Sequence, residues 1–361
     1  MGLYAPWADD SHDLIRATHR QKFTVTLTPA GGDPIAPTVI AARLSFNEDW
    51  SPYGDLALTF ANDLTAAQLA ALDPRTNPPA VDVAAGYVRG DGSEDVHPVF
   101  AGYLHEREAN SRSRTVDAKG YTLDGLTHEV GYLGADTFMT WPSVRAAAEW
   151  AAGYATQQAV QFTPVGNVPT RPDLTAGVPV PAGRPIWDIL GDLVLGARVR
   201  IYADENRQWI IGPKTTEAAQ VRAYLSEGGG GIVDGYRDTL ARADYAGAAV
   251  VVYRWRDSGG VDRTVTGTYG APGAKTYREE RQGAATQAQA NEAAASIVQN
   301  LSTRGDGYRV DGAAAYWLRP GHTVQVTLAN GTESRHIVRQ IDFDLVAGTM
   351  TVITRQPSNI T

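Results

Sequence analysis

The chain has 361 residues, 43% of them hydrophobic and 20% charged, enough apolar material for two or three packed domains. Its formal net charge of −8 argues against a surface built to hold nucleic-acid phosphates, which needs clustered Lys and Arg. With no cysteine, disulfides, thiolate zinc sites, iron–sulfur clusters and a thiol nucleophile are excluded.

The N-terminus, MGLYAPWADDSHDL, has no basic region followed by an apolar run, so no signal peptide is expected. The most apolar run, around Gly247–Tyr253, is too short to span a bilayer, and a soluble protein made in a cytoplasm is expected. Residues 1–20 read as an extended arm. Tyr4, Trp7, Leu14 and Ile15 are costly to leave in water, so the arm is expected to contact a neighbouring subunit.

Phe23, Val25 and Leu27 alternate as a first strand. Val39-Ile40 with Leu44–Phe46 gives a second, and Leu56–Phe60 a third. Thr65 caps a short helix to Leu72. Val81, Val83 and Ala85 then alternate, the turn RGDGS follows, and HPVFAGYLHERE is a long strand before ANSRS and RTVDAKGY. Residues 1–124 thus read as an arm and a first all-β domain.

Residues 125–215 read as a small α+β domain. Ser143 caps a helix through Val144, Ala147, Ala151 and Tyr154. Pro185 starts a second, whose stripe is Ile186, Ile189, Leu190, Leu193 and Val194, with Gly196 as its C′ residue. Val199-Ile201 and Trp209–Ile211 form a hairpin about DENR.

Residues 216–361 read as a second β-domain with one long helix. Residues 216–247, with Gly228–Gly231, are expected to be a flexible join. A hairpin turns at Ser258-Gly259-Gly260, and Thr286–Thr303 is a helix with Ala290, Ala294, Ile297 and Leu301 on one face. The closing stretch is a meander with one apolar face, suggesting a barrel or curled sheet. Val324, Val326 and Leu328 alternate with Thr323, Gln325 and Thr327, and Asn330-Gly331 supplies a hairpin turn. Strand, Gly turn, long strand with acidic residues at its end, short turn and strand occur twice, at 81–121 and 323–355.

No catalytic constellation emerges. Asp188 and Asp192 stand four apart on a helix, as paired carboxylates of a glycosidase could, but both fall opposite the apolar stripe and read as a solvated face. Asp342 and Asp344 share one face of a strand, a polar outer face or a channel wall. Gly228–Gly231 precedes no capped helix and no Lys-Ser/Thr pair, so it is not a phosphate loop. His97 and His105 lie either side of Gly102 without a carboxylate partner in an obvious motif. The seven histidines show no HxxxH or HExxH spacing. No catalytic, cofactor or metal residue is assigned, and no cofactor is expected.

Three segments carry a resemblance: F-x-G-x-L-x-E-R, loop, R-T-V-x-A-x-G-Y from Phe100 to Tyr121; helix–strand–turn–strand from Pro185 to Ile211; and W-L-x-P-G-x-x-V-x-V from Trp317 to Val326. Their order resembles the baseplate or tail-tip hub proteins of tailed bacteriophages, often described as minor tail proteins. The group is similar to the contractile-tail baseplate hub and to the N-terminal part of siphophage tail-associated lysins. The resemblance implies a mainly β (α+β) fold in which two tube-like antiparallel β-barrel domains flank the small α+β domain. It implies a homotrimer forming a pseudo-sixfold ring that joins the sixfold tail to the threefold tip around a channel for tape measure and DNA. It also implies a structural role without enzymatic activity, a place in the virion, and the distal tail ring, tape measure and receptor-binding proteins as partners. An acidic or neutral wall would keep DNA from sticking, and Thr323, Gln325 and Thr327 are wall candidates by periodicity.

The chain ends about six residues past the last predicted strand, so wall digestion and host adhesion are expected on other chains. Three alternatives stay open: a carbohydrate-binding or adhesion component of the same tip, a cell-wall hydrolase, and the hexameric distal ring subunit with one tube-like domain.

Overall fold

The computed structural model describes residues 6–7, 13, 15, 20–168, 177–197, 199–227, 232–240, 242–243, 245–256, 260–282, 284–303 and 306–358. The first β segment holds β1 (Arg20–Thr28), β2 (Val39–Asn47), β3 (Gly54–Ala61), α1 (Ala66–Ala71), β4 (Ala80–Val88), β5 (Glu94–Asn110) and β6 (Thr115–Thr122). The middle segment holds α2 (Leu126–Glu129), β7 (Thr137–Met139), α3 (Val144–Thr156), β8 (Phe162–Pro164), β9 (Val178–Val180), α4 (Ile186–Gly196), β10 (Val199–Ala203) and β11 (Trp209–Pro213). The last holds β12 (Val221–Ser226), β13 (Val233–Leu240), β14 (Ala248–Arg256), β15 (Asp262–Gly270), β16 (Thr276–Gln282), α5 (Gln287–Ser302), β17 (Asp306–Ala313), β18 (Thr323–Thr327), β19 (Glu333–Asp344) and β20 (Thr349–Arg355).

One curled, largely antiparallel sheet of 12 strands organises the molecule. Its first half runs β1-β4-β5-β6-β3-β2 and its second β12-β18-β19-β20-β17-β13. These are the same order when β1 to β6 are matched in sequence to β12, β13, β17, β18, β19 and β20. One pairing differs in sense: β1 meets β4 antiparallel, whereas β12 meets β18 parallel. The match extends to register. The β5–β6 ladder bulges at His105 and the β19–β20 ladder at Arg339, each one residue after a core-facing Leu104 or Val338. The β2–β3 ladder bulges at Ile40 and the β13–β17 ladder at Asp234. An extra residue at matched places bends both halves alike.

Period-two alternation puts Leu44, Phe46, Leu56, Leu58, Phe60, Ile341, Phe343, Met350 and Val352 into one core continuous across both halves. Within it Trp7 packs among Tyr87, Tyr316, Trp317 and His97, with ring centroids 4.7 to 6.4 Å away. Trp7 and Ile15 are buried in this chain's own core, which removes the reason for assigning them to a neighbour. Tyr4 and Leu14 lie outside the described residues.

The middle segment has its own core. The alanine face of α3 (Ala147, Ala148, Ala151, Ala152) packs on Ile186, Ile189, Leu190 and Leu193 of α4 and on the small sheet β10-β11-β8. Ser143 caps α3 as expected, its Oγ accepting from Ala146 N at 3.1 Å. Helix α4 runs through Gly196.

The sheet β15-β14-β16 and helix α5 form an insertion between β13 and β17. Thr286 and Gln289 form a capping box, and Ala290, Ala293, Ala294 and Val298 face the sheet. Residues 216–247 carry β12 and β13 and so are more than a join. Gly228–Gly231 and the turn at residues 257–259 lie outside the described residues.

Candidate functional surface

The two halves meet where β2 pairs antiparallel with β19, Arg43 facing Asp344, Leu44 facing Phe343, Ser45 facing Asp342, Phe46 facing Ile341 and Asn47 facing Gln340. On the inner side Leu44, Phe46, Ile341 and Phe343 are buried. The ladder is extended at both ends, by Leu345 N to Ala42 O at 2.9 Å and Glu48 N to Arg339 O at 3.0 Å. Asn47 Nδ2 donates to Gln340 Oε1 at 3.0 Å. Lys214 from the middle segment and Arg339 from β19 both reach Asp49, at 2.7 and 3.3 Å. Strand β19 therefore shares one edge, with β18 on Glu333–Ile337 and with β2 on Gln340–Asp344.

The opposite, outer face of this continuous sheet is polar. One cross-strand row reads Tyr121, Asp55, Ser45, Asp342, Thr351, Asp311. The Thr351 hydroxyl donates to Asp311 at 2.5 Å. The next row reads Glu106, Lys119, Ala57, Arg43, Asp344, with ion pairs Lys119–Glu106 at 2.8 Å and Arg43–Asp344 at 3.7 Å. Glu108 and Asp117 face each other one row on. Carboxylates outnumber the bases Arg43, Lys119, Arg237 and Arg309 on this face. Partial burial raises the Asp55 carboxyl above its ordinary value, the Ser45 hydrogen bond opposes this, and the like charge of Asp342 adds to it.

A cleft of about 400 Å³ lies where the middle segment meets the two halves, lined by Tyr53, Arg200, Tyr202, Arg222, Arg319 and His322. Its arginines are already engaged. Arg319 donates to the carbonyls of Tyr316, Leu318 and Val99, pairs with Glu205 at 3.5 Å and lies over the Phe46 ring. Arg200 stacks on Tyr202. The arrangement clamps segments together and leaves no reactive pair.

Sequence candidates fall as follows. Asp188 is half-exposed, 3.7 Å from Arg184. Asp192 is on the same helix, its side chain outside those described. Asp342 and Asp344 lie on the outer polar face beside the joint. His97 and His105 do have carboxylate partners: His97 Nε2 is 2.7 Å from Asp95, and His105 Nδ1 is 2.8 Å from Glu129, which also accepts from Tyr103. Sequence reasoning missed them because Glu129 comes from α2, and Asp95 sits two residues before His97 on the same face of β5. Thr323 is no wall residue: it is buried and its hydroxyl accepts from Ala219 N at 2.8 Å. Among the described residues no group of three or more His, Asp or Glu is placed to hold a metal ion. No helix among them is long and apolar enough to cross a membrane.

No protein-family model and no curated protein sequence matches this chain. Solved structures do match. The tail protein from Neisseria meningitidis MC58 superposes with TM-score 0.66 at 12% identity, over 92% of this chain and 96% of that one. The chain has a phage tail-protein fold. The 43 kDa tail protein of prophage MuSo2 from Shewanella oneidensis gives TM-score 0.62 at 12% identity, over 92% and 98% of the two chains. Prophage tail protein gp18 from Listeria monocytogenes EGD-e gives 0.54 at 8% identity, over 93% and 95%. At such identities the likeness lies in the fold and not in particular side chains.

Proposed function

We propose that the chain is a structural hub at the tip of a phage tail, acting by interface geometry without catalysis. The observation that carries this reading is the internal repeat: two half-sheets of one strand order, with bulges at matched places, fused in one chain. In this reading each half is a tube-like β-domain, 1–124 and 216–361, separated by the small domain 125–215. Three copies then supply a pseudo-sixfold ring, which adapts a sixfold tail to a threefold tip.

The acidic outer face is suited to the wall of the channel. Asp117, Asp311, Asp342 and Asp344 repel phosphates and give DNA nothing to bind during passage. The distal tail ring, the tape measure and receptor-binding proteins are the partners this position supplies, and the virion tail is the location.

Light scattering on the purified chain across a concentration series tests the reading. A trimer supports it. A hexamer transfers the chain to the distal ring, and a monomer at every concentration counts against a self-assembling ring.

A further inference from the structure

The joint between β2 and β19 has a counterpart that stays open among the described residues. Strand β13 stands to β17 as β2 stands to β3, with the bulge at Asp234 in the place of Ile40. Past its bulge, β2 carries β19 on its outer edge over Arg43–Asn47. Past its own bulge, β13 pairs only with β17 among the described residues. Burial records the difference: Phe46 is 2% exposed, and Leu240, which holds the matching place on β13, is 77% exposed.

The receiving strand is open in the same way. Glu106–Asn110 of β5, past the bulge at His105, matches Gln340–Asp344 of β19, past the bulge at Arg339. On β19 this stretch is flanked by β20 and β2. On β5 it is flanked, among the described residues, by β6 alone, and Glu106, Glu108, Ala109 and Asn110 are exposed.

We propose that β13 of one copy adds antiparallel to the end of β5 in a second copy of this chain, in the register that β2 and β19 use internally. This rests on the ring reading above and names the contact that would build it. Matching the two ladders sets Arg237 opposite Asn110, Asp238 opposite Ala109 and Leu240 opposite Arg107. Diagonal neighbours on each face are then of opposite charge, Arg237 with Glu108 and Asp238 with Arg107. Leu240 comes to lie along the Arg107 stem and leaves water. Donor and acceptor edges differ, so the contact is head-to-tail, and a head-to-tail contact either closes a ring or grows without limit. Among the described residues both strands are open edges, which a folded protein has to cover or blunt.

The absence of cysteine in the chain gives a clean test. Asp238→Cys and Ala109→Cys are made as separate proteins and mixed under oxidation, and likewise Arg237→Cys and Asn110→Cys. Facing residues alternate between wide and narrow pairs, with Cα atoms about 5.5 and 4.5 Å apart, so both combinations fall in disulfide range. A mixture of Asp238→Cys with Glu106→Cys serves as the off-register control, and light scattering is run on every sample. The expected result is a covalent dimer from an in-register mixture, none from any single variant, and a covalent closed trimer when both cysteines are in one chain. A trimer by scattering with no in-register cross-link overturns the joint and leaves the ring reading standing. Cross-linking of the off-register mixture as strong as the in-register one also overturns the joint. A monomer at every concentration with no cross-link overturns the joint and the ring together.

Discussion

The Arg355 guanidinium holds the Glu48 carboxylate with two hydrogen bonds, Nε to Oε1 at 2.5 Å and Nη2 to Oε2 at 3.0 Å, with both side chains buried. Arg355 ends β20 and Glu48 follows β2, so the pair ties the second half of the sheet to the first. Arg355 also donates to the Thr215 carbonyl, which adds the end of the middle segment to the same knot. Removing one partner strands a buried charge. Arg355→Met is expected to cost about 3–5 kcal/mol, and the Arg355→Met/Glu48→Leu double variant less than the sum of the two single changes. Urea unfolding of the four proteins measures this coupling; additive losses would show the pair to be unimportant.

Trp7 belongs to the chain's own core. Trp7→Ala should lower stability by about 3–5 kcal/mol, and Trp7→Phe by less. If either variant loses self-association while its unfolding midpoint stays put, the arm acts at an interface and its internal packing is secondary.

Gly267 lies directly under α5. A Cβ there would sit 2.0 Å from the Ala290 carbonyl group, so the helix has to lift. Gly267→Ala should release the α5 amides to faster hydrogen exchange, while those of β19 keep their protection, because the insertion has its own small core. Equal deprotection of both would mean that the insertion and the main sheet unfold as one.

His322 supplies a pH response. Its Nδ1 accepts from Arg319 N at 3.2 Å, burial disfavours the charged ring, and Arg222, Arg319 and Arg200 oppose a further positive charge. Its pKa is lowered to about 3 from an ordinary 6.5. Between these values the unfolded chain binds the proton and the folded one does not. Stability from this group is therefore complete above pH 6.5 and falls as pH drops toward 3, by up to about 1.4 kcal/mol per pH unit. Chemical unfolding of wild type and His322→Asn at pH 7 and pH 5 should show a gap that narrows at pH 5; a constant gap would rule the mechanism out.

Apolar alternation makes most of the sheet readable in the sequence. Phe23–Leu27, Leu56–Phe60 and Val81–Ala85 each lie in a strand, as expected, and the stretches 81–121 and 323–355 occupy matching positions in the two halves. Two things stayed hidden. Strand β13, VDGYRDTL, has little apolar alternation because Arg237 on one face and Asp238 and Leu240 on the other are exposed, so its sequence reads like a linker. Alternation also assigns a face but not an environment: Thr323 follows the polar beat of β18 yet is buried, because β12 adds beside it in parallel and Ala219 N bonds its hydroxyl. The acidic face was partly legible in Asp342 and Asp344. Its extension to Asp55, Asp117 and Asp311 needed the strand order, which joins residues far apart in sequence.

The shared edge of β19 also has a mechanical meaning. Sliding β19 against β2 by one residue would turn Ile341 and Phe343 outward and bring Asp342 and Asp344 into the core. Only two-residue steps of about 6.8 Å keep the faces right, and each has to break the pairing with β18 and β20 at the same time. The two halves are therefore indexed like teeth on a gear and have no continuous path for rotating past each other. In the ring proposed above, any change in bore would have to come from elements outside this ladder, such as the middle segment or the α5 insertion, while the joint itself holds its setting.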